Sequence, residues 1–156
     1  MIKRLILTAF AILSLLCASE AESLTPLSYD ESLALLNRID QEAIVLGNGA
    51  KQVYVFIDPL CLHSRKFIAM VSQNPKMLSK YQYHLFLYSI TRLKSQEDVA
   101  AIYASDAPLA TLLEVMTTPK RYQQKATAST QAKVESIASV ARKLSVHKRP
   151  YIFVAK

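Results

Sequence analysis

The chain has 156 residues, of which 20% are charged, and it carries a formal net charge of +7. This length corresponds to one domain, without internal repeats or low-complexity runs. The basic residues are scattered and are not interleaved with aromatic side chains, so the composition argues against a nucleic-acid-binding protein and favours a solvated basic surface.

The N-terminus has the pattern of a targeting segment. Lys3 and Arg4 precede an apolar run over residues 5–18, and small residues precede a cleavage point after Ala21. The apolar run is short for a bilayer span. We therefore predict a signal peptide over 1–21, a periplasmic protein of Gram-negative type and no stable membrane anchor after cleavage; an uncleaved anchor is the alternative.

Cleavage would leave one cysteine. Cys17 lies in the predicted signal peptide, so Cys61 would be the single thiol in a compartment where disulfides form. An unpaired cysteine in an exported protein indicates either a reactive thiol or an inert, buried apolar residue. The residues around Cys61 have to decide between these two interpretations.

Hydrophobic periodicity predicts alternating helices and strands. In chain order, the pattern predicts a helix at 29–40, strands at 43–46 and 52–57, a helix at 61–72, a strand at 83–88, helices at 99–104 and 109–116, a turn at 122–126, a helix at 133–144 and a strand at 151–154. Strands that alternate with helices predict an α/β sheet covered by helices.

Local motifs place some of the boundaries. Ser28 with Glu31 is a capping box, and Ser95 with Asp98 predicts a second helix start. The only two glycines lie in the turn at 47–49, where we expect a positive φ. Pro75 is expected to end the helical region that begins at Cys61.

The chemistry centres on Cys61. The strand at 52–57 is a continuous apolar run, as in strands buried on both faces, and it is broken at Asp58. Cys61 then lies at the start of a helix, where unpaired backbone N–H groups and the helix dipole favour a thiolate. His63 lies in the same turn, and Pro150 precedes a later strand. This placement favours a reactive thiol.

The segment at 56–66, FIDPLCLHSRK, resembles the active-site segment of the periplasmic disulfide isomerases of the DsbC/DsbG type. That family has the pattern Phe-Thr-Asp-x-x-Cys-x-x-Cys-x-Lys. The segments at 83–86, 95–106 and 144–150 resemble the family's next strand, its helical insertion and its Leu-Gly-Val-x-Gly-Thr-Pro loop. The resemblance runs in order from Gln52 to Lys156.

The resemblance implies a thioredoxin-like fold with a helical insertion. The N-terminal helix and first strand would occupy 22–50, and the thioredoxin-like domain would occupy 51–156, without the fold's last strand and helix. Pro150 would be the cis-proline packed against Cys61. The backbone of Arg149 would be the edge on which an extended substrate peptide is laid.

One departure from the family changes the expected reaction. Ser64 stands where the family has its second cysteine, and a hydroxyl cannot resolve a mixed disulfide. With Cys61, His63 and Ser64 as the candidate catalytic residues, we expect isomerase-like exchange through mixed disulfides, without a cofactor or metal. The expected partners are cysteine-containing proteins or extended peptides, and an external thiol protein for release. The alternatives are a non-catalytic peptide-binding or chaperone-like module, or a truncated, inactive paralogue.

A second departure lies at the proline loop. Lys148 and Arg149 replace the family's Gly-Thr. Their long basic side chains either favour acidic substrates, obstruct the peptide groove or point to solvent, and the sequence leaves these possibilities open.

Overall fold

The computed structural model describes residues 26–156, so the predicted signal peptide lies outside the described residues. In chain order the elements are α1 (Tyr29–Arg38), β1 (Ile44–Leu46), β2 (Lys51–Ile57), α2 (Leu62–Ser72), α3 (Pro75–Lys80), β3 (Tyr81–Leu87), α4 (Gln96–Ala104), α5 (Pro108–Thr117), α6 (Ala128–Lys143) and β4 (Tyr151–Val154). Short 3-10 turns cover Asp40–Glu42 and Thr91–Leu93. Within 26–156, no helix is both long enough and apolar enough to cross a membrane.

The four strands form one sheet in the order β1-β3-β2-β4. β2 and β3 are parallel, and the two outer strands run antiparallel to their neighbours. Val53 pairs with Tyr83, and Tyr54 pairs with His84. The side chains of one pair therefore lie on the same face of the sheet, and successive pairs lie on opposite faces. The expected mixed α/β architecture is therefore present, with β2 and β3 at its centre.

Helices cover both faces of this sheet. On one face, the hydroxyl of Tyr54 donates to the side-chain oxygen of Asn37 in α1 at 3.0 Å. On the opposite face, Phe67 of α2 packs edge-on against Tyr83, with ring centroids 5.9 Å apart. β2 is buried from Val53 to Ile57, as its continuous apolar sequence predicts. Its carboxyl end is therefore a rigid point from which the next turn departs.

Several predicted boundaries were wrong for local reasons. Pro75 does not end the helical region: Asn74 caps a new helix, and proline suits its first position, where the missing N–H costs nothing. α6 begins at Ala128 rather than at 133, because the side chains of Thr127 and Thr130 form a reciprocal cap. The turn predicted at 122–126 is irregular coil.

The two glycines serve different needs. Gly47 has φ +86°, in the left-handed region where other residues are strained, as expected. Gly49 has no positive φ. A Cβ on Gly49 would lie 2.0 Å from the carbonyl carbon of Lys80, so this glycine allows close approach of two backbones. The turn at 47–49 therefore packs closely against the backbone where α3 ends and β3 begins.

Helix α4 is anchored to the sheet and to the coil that follows α5. The buried hydroxyl of Tyr103 accepts a hydrogen bond from the N–H of Leu87 at 3.1 Å, and burial raises the pKa of Tyr103. Asp98, with no exposed side-chain surface, accepts two hydrogen bonds from Arg121, at 3.0 and 2.7 Å. This pair fastens the coil before α6 to the first turn of α4.

Replacing Arg121 by alanine should destabilise the fold. The substitution leaves the Asp98 carboxylate buried without its cation, and we expect a loss of about 2 kcal/mol in the free energy of unfolding. Urea denaturation measures the change. The control is Lys120→Ala, which removes a solvent-exposed pair with Glu114 and should cost clearly less stability. Equal losses in the two variants would contradict the role assigned to Asp98.

Candidate functional site

Cys61 lies at the N-terminus of α2, as the sequence predicts. β2 ends at Ile57, and a tight turn brings the N–H of Cys61 to the carbonyl of Asp58 at 3.1 Å. Cys61 is the N-cap residue, and its carbonyl accepts from the N–H of Arg65 at 2.9 Å. Its side chain makes no capping hydrogen bond, so the sulfur is not used to cap α2. Only 8% of the residue is exposed.

The Arg149–Pro150 loop packs directly on this cysteine. The peptide bond between these two residues is cis. The Cys61 thiol lies 3.7 Å from the carbonyl oxygen of Arg149, to which it donates across 88 positions of the chain. The structure therefore places the proline loop against Cys61.

Ser64 and His63 occupy opposite surroundings. Ser64 is fully buried, and its hydroxyl accepts a hydrogen bond from the backbone N–H of Asp58 at 3.3 Å. His63 is exposed on α2, two residues from Cys61. Ser64 thus supports the turn between β2 and α2, whereas His63 faces solvent.

Asp58 is a site residue that the sequence reasoning missed, since it was treated only as the end of a strand. Its side chain is completely buried. One carboxylate oxygen accepts from the N–H of Leu60 at 2.8 Å, and the other accepts from the hydroxyl of Ser95 at 2.7 Å and from the N–H of Ile90. An acid followed by proline at the end of a buried strand was the available signal.

The Asp58 contacts explain why Ser95 begins α4 without the capping hydrogen bond that the sequence predicts. Ser95 is the N-cap residue of α4, but its side chain makes no capping hydrogen bond. Its hydroxyl is donated to Asp58 instead. A buried carboxylate without hydrogen-bond donors is costly, whereas water can bond to an uncapped N–H at a helix start. The bond to Asp58 therefore stabilises the fold more than a local cap would. The start of α4 is thereby tied to the turn that carries Cys61.

The Arg149 side chain is turned back onto β3. Its guanidinium lies 4.0 Å from the centre of the Tyr88 ring and donates to the carbonyls of Tyr88 and Ser89, at 3.1 and 3.4 Å. The side chain is half-buried, whereas that of Lys148 is exposed. Arg149 therefore clamps the proline loop to the end of β3.

The acidic, histidine and cysteine side chains do not gather into a metal centre. In the described part of the chain, no three of these side chains lie close enough to hold an ion.

No protein-family model and no curated protein matches the chain. Solved structures do match its fold. The catalytic domain of Proteus mirabilis ScsC has a TM-score of 0.65 at 13% identity, over 82% of this chain and 87% of that one. A thioredoxin-like oxidoreductase from Silicibacter pomeroyi DSS-3 has a TM-score of 0.66 at 19% identity, over 79% and 84%.

Helicobacter pylori DsbG also matches, with a TM-score of 0.63 at 18% identity, over 81% of this chain and 61% of that one. At these identities the likeness concerns the fold. The predicted thioredoxin-like fold is confirmed, and α4 and α5 occupy the place of the expected helical insertion between β3 and α6.

Replacing Asp58 by asparagine should loosen the whole site. An amide has one acceptor oxygen in place of two, so at least one buried donor loses its partner. We expect about 2 kcal/mol of lost stability in urea denaturation. The matched variant Ser95→Ala removes only the hydroxyl bond and should cost about 1 kcal/mol. Indistinguishable losses would argue against a carboxylate shared by three donors.

Replacing Arg149 by lysine should free the proline loop although the charge is kept. A lysine ammonium cannot reproduce the planar fork that reaches two carbonyls while stacking on Tyr88. We expect Arg149→Lys and Arg149→Ala to raise amide hydrogen exchange at 146–150 to similar extents. If the amides at 146–150 remain protected from hydrogen exchange in Arg149→Lys, the positive charge alone holds the loop.

Proposed function

We propose that the chain is an exported, monothiol thiol–disulfide exchange protein that acts through mixed disulfides at Cys61. The observation that carries this proposal is the position of the thiol, at the N-terminus of α2 and against the cis Arg149–Pro150 loop. Unpaired N–H groups at a helix start favour the thiolate, which is the nucleophile in disulfide exchange.

The proposed reaction conserves the number of disulfides. The Cys61 thiolate attacks one sulfur of a substrate disulfide, forming a bond between Cys61 and that sulfur while the other sulfur leaves as a thiolate and takes up a proton. A second thiolate then attacks the substrate sulfur of the mixed disulfide and releases Cys61. When the second thiol belongs to the same substrate, the outcome is isomerisation without net oxidation.

Ser64 supports the monothiol character of this reaction. Its buried hydroxyl already accepts the N–H of Asp58, and an alcohol cannot form a disulfide. The release step therefore needs a thiol from the substrate or from another protein. In this scheme Ser64 positions the turn, and exposed His63 lies beside the incoming substrate.

The proline loop supplies the proposed substrate edge. The Arg149 carbonyl contacts the thiol, and β4 begins immediately after Pro150. An extended peptide that pairs with this edge would bring its cysteine sulfur to Cys61. The Arg149 clamp would hold the edge in place during exchange.

A non-catalytic peptide-binding module is the second candidate. It is favoured by the low exposure of Cys61, whose thiol is already engaged with the Arg149 carbonyl. Under this alternative the edge beside Pro150 binds extended peptides without covalent capture, and Cys61 is a packing residue.

Covalent capture should depend on Cys61. Purified protein is mixed with a peptide that carries one cysteine as a thiopyridyl disulfide, and the adduct is followed by mass spectrometry. We expect an adduct with the native sequence and none with Cys61→Ala. We also expect Ser64→Cys to shorten the lifetime of the adduct, because a second thiol at this position can resolve it.

The control is Cys61→Ala combined with Ser136→Cys, which places one ordinary thiol on the exposed face of α6. We expect Cys61 to react about tenfold faster than this control thiol. A native thiol that reacts no faster than the control would overturn the exchange function. Undiminished noncovalent binding of a reduced peptide by Cys61→Ala would then favour the binding module.

A further inference from the structure

Three segments meet around the Cys61 thiol. The Arg149 carbonyl brings in the proline loop at 146–150. The Asp58 carboxylate brings in the loop at 88–95, through Ile90 and Ser95. The first turns of α2 are the third segment. These contacts place the two loops beside the N-terminus of α2, where a substrate has to reach Cys61.

The exposed charges on these segments are all positive. They belong to Lys66 of α2, Arg92 and Lys94 of the 88–95 loop, and Lys148 of the proline loop. We call these four residues the basic rim. Among residues 26–156, none of them has a carboxylate within ion-pair distance.

Two further cationic side chains near the site are held by hydrogen bonds to backbone carbonyls. Arg65 donates to the carbonyls of Val115, Met116 and Thr118 at the end of α5, the Met116 bond being 3.1 Å. Arg149 is held by the carbonyls at the end of β3. The charge of the basic rim is therefore the part that faces solvent.

No exposed carboxylate on the three segments offsets this charge. These segments contain no acidic residue, and Asp58, in the turn before α2, is fully buried and accepts from three donors. Exposed Glu97 follows in the first turn of α4, while Asp98 is buried against Arg121. The approach to Cys61 therefore carries a surplus of positive charge.

We propose that the basic rim selects acidic, cysteine-containing polypeptides as the substrates of Cys61. The proposal rests on the proposed function and names its substrate class. A surface patch of one sign concentrates ligands of the opposite sign and speeds their association. Leu62, 62% exposed beside Cys61, adds an apolar contact for a residue next to the substrate cysteine.

Three peptides of equal length test the selection. Each carries one cysteine as a thiopyridyl disulfide, flanked by Glu, Gln or Lys, and release of thiopyridone gives the rate of capture by Cys61. Each rate is normalised to that peptide's reaction with a neutral small thiol. We expect the rates to fall from Glu to Gln to Lys, by about tenfold per step at low ionic strength. Added salt should compress these differences.

A matched pair of triple variants locates the effect. Lys66→Gln/Lys94→Gln/Lys148→Gln should make the three rates converge, with about a tenfold loss for the Glu peptide. The control, Lys51→Gln/Lys76→Gln/Lys80→Gln, removes the same charge from exposed lysines at the start of β2 and in α3, the helix that leads into β3. These lie about 20 Å from the site by strand length, beyond the screening length, so the control should keep the order of rates.

The outcomes separate the two proposals. Equal rates for the three peptides, or equal losses in both triple variants, would overturn the selection and leave the exchange function standing. Failure of the Gln peptide to react at all would overturn the exchange function, and the selection with it. Thermal unfolding of both variants checks that neither loss comes from misfolding.

Discussion

The buried carboxylate of Asp58 is the constraint on which the rest of the site depends. A charge without solvent contact is expensive unless every acceptor position is filled, and here three donors come from three places in the chain. Leu60 belongs to the cysteine turn, Ile90 to the loop after β3, and Ser95 to the start of α4. The hydrogen bonds of this one carboxylate therefore fix the relative positions of the cysteine turn, the loop after β3 and the start of α4.

Ser64 stabilises the same turn. Its hydroxyl accepts the backbone N–H of Asp58, so the side chain completes the turn that the carboxylate organises. A serine can fulfil this structural role, but it cannot resolve a disulfide. The site thus keeps the architecture that presents a thiol at a helix start, and the proposed release step depends on a thiol from outside the chain.

Positive charge near the thiol has two distinct uses. Arg65 and Arg149 hold backbone carbonyls, one at the end of α5 and the other at the end of β3. The basic rim has no such partners in residues 26–156 and faces solvent. Composition alone gives only the total number of positive charges. The division between cations that build the site and cations that can meet a substrate appears once the hydrogen bonds are known.

The sequence by itself determined the four strands, the placement of Cys61 at a helix start and the mixed α/β fold, because these follow from periodicity and caps over a few residues. Only the tertiary structure decided which distant groups meet. The Asp58 carboxylate accepts from the N–H of Ile90, and Ser95 leaves its local cap for the same carboxylate. The physical reason is that burial decides which polar groups must find partners. Burial depends on the packing of the whole chain, which no short window of sequence contains.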